Sequence, residues 1–250
     1  MCGFALGAPP DECGAVAAER RATVNSKVPT TGIAEPLQPV ASMRVADILA
    51  ERILSGKLPP GARIKQDELA DELNTSRIPV RDALRILESR GLVTLRANIG
   101  ARVTRMTHRD LALAYEIRER IEPLLLAESI PHLTDEDVAE MRRIQAEIEA
   151  TSDIEEFLAL DRRFHWTSYG GHRAPQLAQI IERLWDTTQS YRRAYYPVER
   201  DRARAIYAEH HLFLEAIERR DADTATAVLV MHIRRTRVAH QTHLVVDKGS

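Results

Sequence analysis

The sequence predicts a mainly α protein: an N-terminal winged helix-turn-helix with a small β wing, followed by an all-α antiparallel six-helix bundle. Three observations carry this. A short capped helix at 76–90 has an apolar stripe and a row of arginines, a β-like hairpin pattern follows it directly, and from about residue 108 the chain reads as helix throughout.

Residues 1–40 are rich in Ala, Pro, Thr and Gly, with no sustained apolar period, and are expected to be a disordered tail. From Ser42, read as an N-cap, Val45, Ile48, Leu49, Ile53 and Leu54 mark the first helix of a domain expected over 41–107. The run Gly56-Lys57-Leu58-Pro59-Pro60-Gly61 ends that helix. Residues 66–73 form a second short amphipathic helix, and only Asn74-Thr75 separates it from the arginine helix, the tight spacing of a helix-turn-helix.

In the arginine helix Ser76, or Thr75, is the expected N-cap, Pro79 lies in the first turn and Gly91 supplies the left-handed stop. Val80, Ala83, Leu84 and Leu87 recur at three- and four-residue spacing and form one face. Arg77, Arg81 and Arg85 stack four apart on another. The runs 92–96 and 101–105 flank Ala97-Asn98-Ile99-Gly100, a turn with Asn and Gly where a hairpin needs them. Between Arg77 and Arg105 there are seven arginines against Asp82 and Glu88, a net +5, which is the charge a phosphate backbone requires.

The residues Ser76 to Leu84, then Leu87-Glu88-Ser89-Arg90-Gly91-Leu92-Val93 and a wing ending at Gly100, resemble the DNA-binding domain of the GntR superfamily of bacterial transcriptional regulators. The resemblance spans roughly residues 45–107. It implies that Arg77, Ile78, Pro79 and Arg81 face DNA from the recognition helix, with Gly100 at the wing tip, and Arg85 continues the same arginine row. An arginine that some members carry in the preceding helix is not matched, because Gln66 and Asp67 stand there.

The whole chain has a net charge of −2 that hides an asymmetry. Residues 41–107 hold twelve Lys/Arg and eight Asp/Glu, net +4, which leaves −6 for the rest. A basic module beside an acidic one suits a DNA reader joined to a domain that does not touch DNA. The only cysteines, Cys2 and Cys13, sit in the tail, so neither a disulfide framework nor a cysteine zinc finger is available. No apolar run approaches the ~18 residues of a membrane span and no signal-peptide pattern opens the chain, so a cytoplasmic protein is expected.

In the region 108–245 six helical segments separate at caps and breakers: 109–130, ended by Pro131; 134–151, opened by Thr134; 153–169, ended by Gly170-Gly171; 174–196, ended by Pro197; 200–219; and 223–243. Short connections between them make an antiparallel bundle the natural architecture. Asp161 and His165 lie four apart and share a helix face, while His210 and His232 fall on two further helices. Three imidazoles and a carboxylate from facing helices suit a divalent cation, although hydrogen-bonded core histidines fit the same spacing.

This half resembles the all-helical effector domain of the FCD branch (FadR C-terminal domain) of GntR regulators, and six segments rather than seven point to its VanR-like subgroup. The resemblance implies a metal site at Asp161, His165, His210 and His232, matched residue by residue. His210 is preferred to the adjacent His211 because it stands six before Ala216 of an Ala-Ile pair. Zn is the first choice of metal, with Ni, Mn or Fe as alternatives.

By the same resemblance Arg118 faces an effector pocket, where a guanidinium beside a cation suits a small carboxylate; the other reading is an ion pair with Glu122 at i+4. Tyr191, Arg192, Arg193, Tyr195 and Tyr196 read either as pocket lining or as a solvated helix end. His108, His132, His172, His211, His240 and His243 read as turn, surface or tail residues.

The function implied is a transcriptional regulator, more often a repressor, binding a palindromic operator as a homodimer and responding to a small organic acid at the metal. No nucleophile motif, phosphate loop or clearly placed general base argues for an enzyme. Two alternatives stay open: water activated at an Asp/His3 metal, or a metal that is purely structural.

Overall fold

The computed structural model describes residues 38–97, 99–200 and 203–246. The segment 1–37 with both cysteines, and Asn98 of the wing turn, lie outside the described residues.

The DNA-binding module comprises α1 (Gln38–Leu54), β1 (Arg63–Ile64), α2 (Gln66–Glu72), α3 (Arg77–Ser89), β2 (Val93–Arg96) and β3 (Gly100–Val103). Helix α1 begins at Gln38, inside the segment read as tail, and not at Ser42. Pro39 is tolerated in a first turn, and Ser42 is buried within the helix. The apolar stripe of α3 is the hub of the module: Val80, Ala83, Leu84 and Leu87 are all 0% exposed and pack with Val45, Leu49 and Ile53 of α1.

Ser76 occupies the N-cap position of α3 in extended backbone, yet its side chain makes no cap hydrogen bond. Pro79 stands at the third helical position, so one of the two N–H groups that a serine cap uses does not exist. The wing is a three-stranded antiparallel sheet in the order β1-β3-β2, with Val93 opposite Val103 and Arg96 opposite Gly100. Strand β1 was not legible in the sequence, because two residues cannot display a period.

The six expected helices of the second module are α4 (His108–Ser129), α5 (Asp135–Ala150), α6 (Ile154–Ser168), α7 (Pro175–Arg200), α8 (Ala203–Glu218) and α9 (Ala222–Val246), with one 3-10 turn at Ile130–His132. Capping boxes at Thr107/Asp110 and Thr134/Asp137 open α4 and α5, and Asp153 caps α6. Helix α4 packs on α7 and α9, α5 on α6 and α8, and α8 on α9. Phe157, Phe164, Trp185, Phe213 and Ile217 fill the centre.

Pro197 does not end α7, which runs on to Arg200. A proline within a helix removes one backbone donor and clashes with one earlier carbonyl, a local cost that does not by itself stop the helix; α4 likewise continues through Pro123.

Helix α7 joins the two modules. Gly91, at φ +75°, ends α3 in the left-handed conformation and also lies so close to α7 that a Cβ there would fall 2.8 Å from Thr187 Cγ2. Next to it Arg90 reaches Asp186 at 2.9 Å, and Arg183 Nη1 donates to the Ser89 carbonyl at 2.7 Å. Asp186 is 0% exposed and also holds Arg162 of α6 at 2.8 Å. Further along, Tyr191 Oη accepts from Met106 N at 2.7 Å in the connector between modules, and Arg193 donates to the Ser55 carbonyl at the end of α1.

Candidate metal centre and DNA-reading face

Asp161 and His165 project from one face of α6 toward His210 of α8 and His232 of α9, and one ligand atom from each lies within 4.8 Å of the other three. All four are buried. His211 instead stays on the surface, 2.6 Å from Glu149.

Two rings have their outer nitrogens, Nδ1, fixed by partners outside the group. Gln145 donates its amide to Glu149 at 2.7 Å, which leaves its carbonyl oxygen to accept from His210 Nδ1 at 2.8 Å. His232 Nδ1 lies 2.8 Å from Glu209 Oε2, and Arg235 Nε donates to the other oxygen of that carboxylate at 2.7 Å. Each Nδ1 therefore carries the proton and each Nε2 offers a lone pair. Phe164 stacks on His210 at 4.5 Å and meets His165 edge-on, which fixes the ring planes.

Asp161 Oδ1, His165 Nδ1 and His210 Nε2 are buried without a hydrogen-bond partner among the described residues. Orphaned acceptors at the meeting point of three helices are costly unless something occupies the point, and a divalent cation is the group that carboxylate and imidazole acceptors fit. The residues therefore fit a metal.

The electrostatics agree. Burial alone would raise the Asp161 carboxyl, but Arg192, with Nη1 at 2.8 Å from Oδ2, and then the histidines hold it well below the usual carboxylate range. Burial pushes His165 far down and His210, with help from His232, to about 3, so both rings are neutral ligands at neutral pH. Burial would also raise Glu209, and its hydrogen bonds with His232 and Arg235 bring it to about 2.

Asp161, His165 and His232 themselves line a small space of about 10 Å³, with Tyr115, Arg118, Trp185, Arg192 and Thr236 around it. Arg118 faces it and is also paired with Glu122 at 2.5 Å, so both readings of this arginine hold at once. Its guanidinium lies 4.2 Å from the centroid of Trp185 and 5.0 Å from that of Tyr115. Tyr169 Oη donates to the other oxygen of Glu122 at 2.7 Å, and burial first, then Glu122, raises its phenol well above the ordinary value.

Arg192, left open between pocket and surface by the sequence, is 5% exposed and lines this space. Tyr191 and Arg193 turn instead to the DNA-binding module, and the side chains of Tyr195 and Tyr196 lie outside the described residues. Gln145 and Glu209 had no sequence signal, because a supporting partner is defined by a contact across helices and not by spacing.

On the other module Arg77, Ile78, Arg81 and Arg85 are exposed on α3. Arg77 pairs with Asp67 at 2.7 Å and Arg85 with Asp82 at 3.6 Å, while Arg81 makes no ion pair among the described residues. Pro79 departs from the expected reading face: it is buried, because the turn that starts α3 directs its ring into the module. Gly100 stands at the wing with φ +89° and nothing within 4 Å of a Cβ placed there. Arg96, Arg102 and Arg105 line the groove beside it, which extends the basic surface from the helix to the wing.

Residues 41–103 match the family model described as bacterial regulatory proteins, gntR family, and residues 113–235 match the FCD domain. The chain is a GntR-family transcriptional regulator with an FCD domain. Among curated relatives, this GntR regulator is 29% identical over 199 residues to the probable D-xylose utilization operon transcriptional repressor of Paenarthrobacter nicotinovorans, covering 76% of this chain and 84% of that protein. It is 28% identical to the gluconate operon transcriptional repressor of Bacillus licheniformis, over 72% of this chain and 77% of the relative. The solved structure of McbR/YncC from Escherichia coli superposes with a TM-score of 0.71 at 25% identity, covering 81% of this chain and 98% of that one. These relatives are named as regulators and not as enzymes.

The buried histidines make the metal-free GntR regulator acid-sensitive. His165 and His210 have folded-state values below the ordinary 6.5, so an unfolded chain takes up protons there that the folded chain refuses. Stability from this source is greatest above about pH 6.5 and declines as pH falls below it, for His210 until about 3. Chelator-treated protein should melt at a lower temperature at pH 5 than at pH 7.5 in a calorimetric scan; an equal or higher midpoint at pH 5 would contradict it.

Proposed function

We propose that this regulator is a repressor that binds a palindromic operator as a homodimer and is released from it by a small organic acid held at a divalent metal, zinc before nickel, manganese or iron. The observation that carries the reading is the group Asp161, His165, His210 and His232: four buried ligand atoms within 4.8 Å, of which Asp161 Oδ1, His165 Nδ1 and His210 Nε2 have no hydrogen-bond partner among the described residues. A divalent cation held by Asp161, His165, His210 and His232 would supply Lewis acidity toward a carboxylate.

The chain's own residues do the remainder. Gln145 and Glu209 hold His210 and His232 in the ligand tautomer, Arg118 offers a guanidinium to the acid, and Trp185 with Tyr115 keeps water out of the space they line. On the DNA side Arg77, Ile78, Arg81 and Arg85 would enter the major groove, with Gly100 letting the wing approach the backbone closely. One recognition helix per chain makes a two-fold operator the matching target of a two-fold protein. The division 41–107 for DNA and 108–245 for metal, effector and dimer contacts follows the two cores, and six long helices in the second module support the VanR-like grouping.

The test is elemental analysis of the purified protein beside His165→Ala and His232→Ala. Near-stoichiometric metal in the wild type and its loss in both folded variants is expected. A wild type that holds no metal after reloading would remove this ligand mechanism.

A further inference from the structure

Helices α4 and α9 pack on each other, and each carries an outward stripe at four- and three-residue spacing: Leu113, Ile117, Arg120 and Leu124 on α4, and Met231, Arg234 and Val238 on α9. Leu113, Ile117 and Leu124 are 45%, 44% and 60% exposed, although they lie in the body of the helix and not at its ends. Arg234 of the second stripe reaches Glu119, beside Arg120 of the first, at 3.3 Å. The stripes therefore run side by side, and an apolar face of this kind rimmed by charge marks a contact surface.

The ends of α4 indicate what covers it. Arg109 lies in the first turn and Glu128 in the last, each of the sign that the helix dipole disfavours, and neither makes an ion pair among the described residues. A second α4 laid antiparallel on the first answers both: Arg109 meets Glu128, Leu113 meets Leu124 and Ile117 meets Arg120, three pairs that share one centre between Arg118 and Glu119. A stripe complementary to its own reverse suits a two-fold contact between identical chains.

We propose that the exposed faces of α4 and α9 are where two copies of this chain meet, with the two α4 helices antiparallel across a two-fold axis and the α9 stripes flanking them. This rests on the homodimer of the reading above and adds to it the surface and the register. The inner faces of the same helices carry Arg118 and His232, so the elements that meet at the axis are also elements that line the candidate metal centre.

The experiment is sedimentation equilibrium of the full chain as wild type, Leu124→Asp, Glu128→Arg and the double variant Arg109→Glu with Glu128→Arg, each shown to be folded by circular dichroism. Wild type should form a dimer. Leu124→Asp sets a charge into the apolar stripe twice per dimer and should weaken association by at least about thirtyfold. Glu128→Arg brings two arginines together at each end of the contact and should weaken it by at least about threefold at low salt. The double variant restores opposite charges in the reverse sense and should return to within about twofold of wild type. Both helix-end changes favour the dipole of α4, so the contact can be judged even if Leu124→Asp does not fold.

A folded Leu124→Asp that dimerises within about twofold of wild type overturns this surface and leaves the homodimer standing. Glu128→Arg without effect, or a double variant that binds no tighter than Glu128→Arg, overturns the antiparallel register. A wild type that is monomeric at every concentration overturns the surface and the homodimer together.

Discussion

Arg81→Ala is expected to lower operator affinity by about 1–3 kcal/mol per recognition helix, roughly 5- to 150-fold, with no loss of fold. In the row on α3, Arg77 is tied to Asp67 and Arg85 to Asp82, so Arg81 is the guanidinium that can reach DNA without first breaking an ion pair. Its side chain is exposed, whereas the core of the module rests on Val80, Ala83, Leu84 and Leu87 on the opposite face. In the proposed homodimer the change occurs twice, so the loss per operator is about 2–6 kcal/mol. A gel-shift titration on an operator selected by the wild type from a random duplex pool reads the effect, and affinity within twofold of wild type would contradict it.

The second large effect is expected for Asp186→Ala. Asp186 is fully buried and is held by Arg90 from the end of the recognition helix and by Arg162 from α6. Removing one member of a buried ion pair costs about 3–5 kcal/mol; both arginines here are partly exposed, which lowers the figure to about 2–3 kcal/mol. A fall in melting midpoint of roughly 4–12 °C follows. Because the carboxylate bridges the two modules, the calorimetric trace should also broaden or split as the modules unfold separately. A single transition at the wild-type temperature would show that Asp186 does not join them.

What was legible in the sequence was whatever repeats along one helix. The stripe Val80, Ala83, Leu84 and Leu87 is buried as the spacing predicts, and the i, i+4 pair Asp161 and His165 shares a face. In the second module Thr134, Pro131 and Gly170-Gly171 marked helix ends because they act locally, whereas Pro197 set the end of α7 too early. What was not legible depends on contacts between distant positions. Arg192 meets Asp161 across 31 positions of chain, and Asp186 meets Arg90 across 96, so nothing near either residue announces its partner.

Pro79 and Ser76 show a subtler limit. Each fits a rule for helix starts taken alone, but together the proline deletes one of the two donors a serine cap uses, and the ring is buried where the resemblance placed it against DNA. Gly91 shows the converse: its left-handed stop was readable, while the second reason for a glycine, the closeness of Thr187, belongs to a helix almost a hundred positions away.

The enclosed space between Arg118 and Arg192 has room for little more than one water molecule. On the proposed reading, an acid that binds here would enter only while α4, α7 and α9 stand apart, so its arrival would be set by how often the helices open and not by how often it collides with the surface. Its uptake would then saturate with concentration, and its departure would wait on the same opening. Such a regulator would pass over brief pulses of its signal and answer to a supply that outlasts its own closed interval.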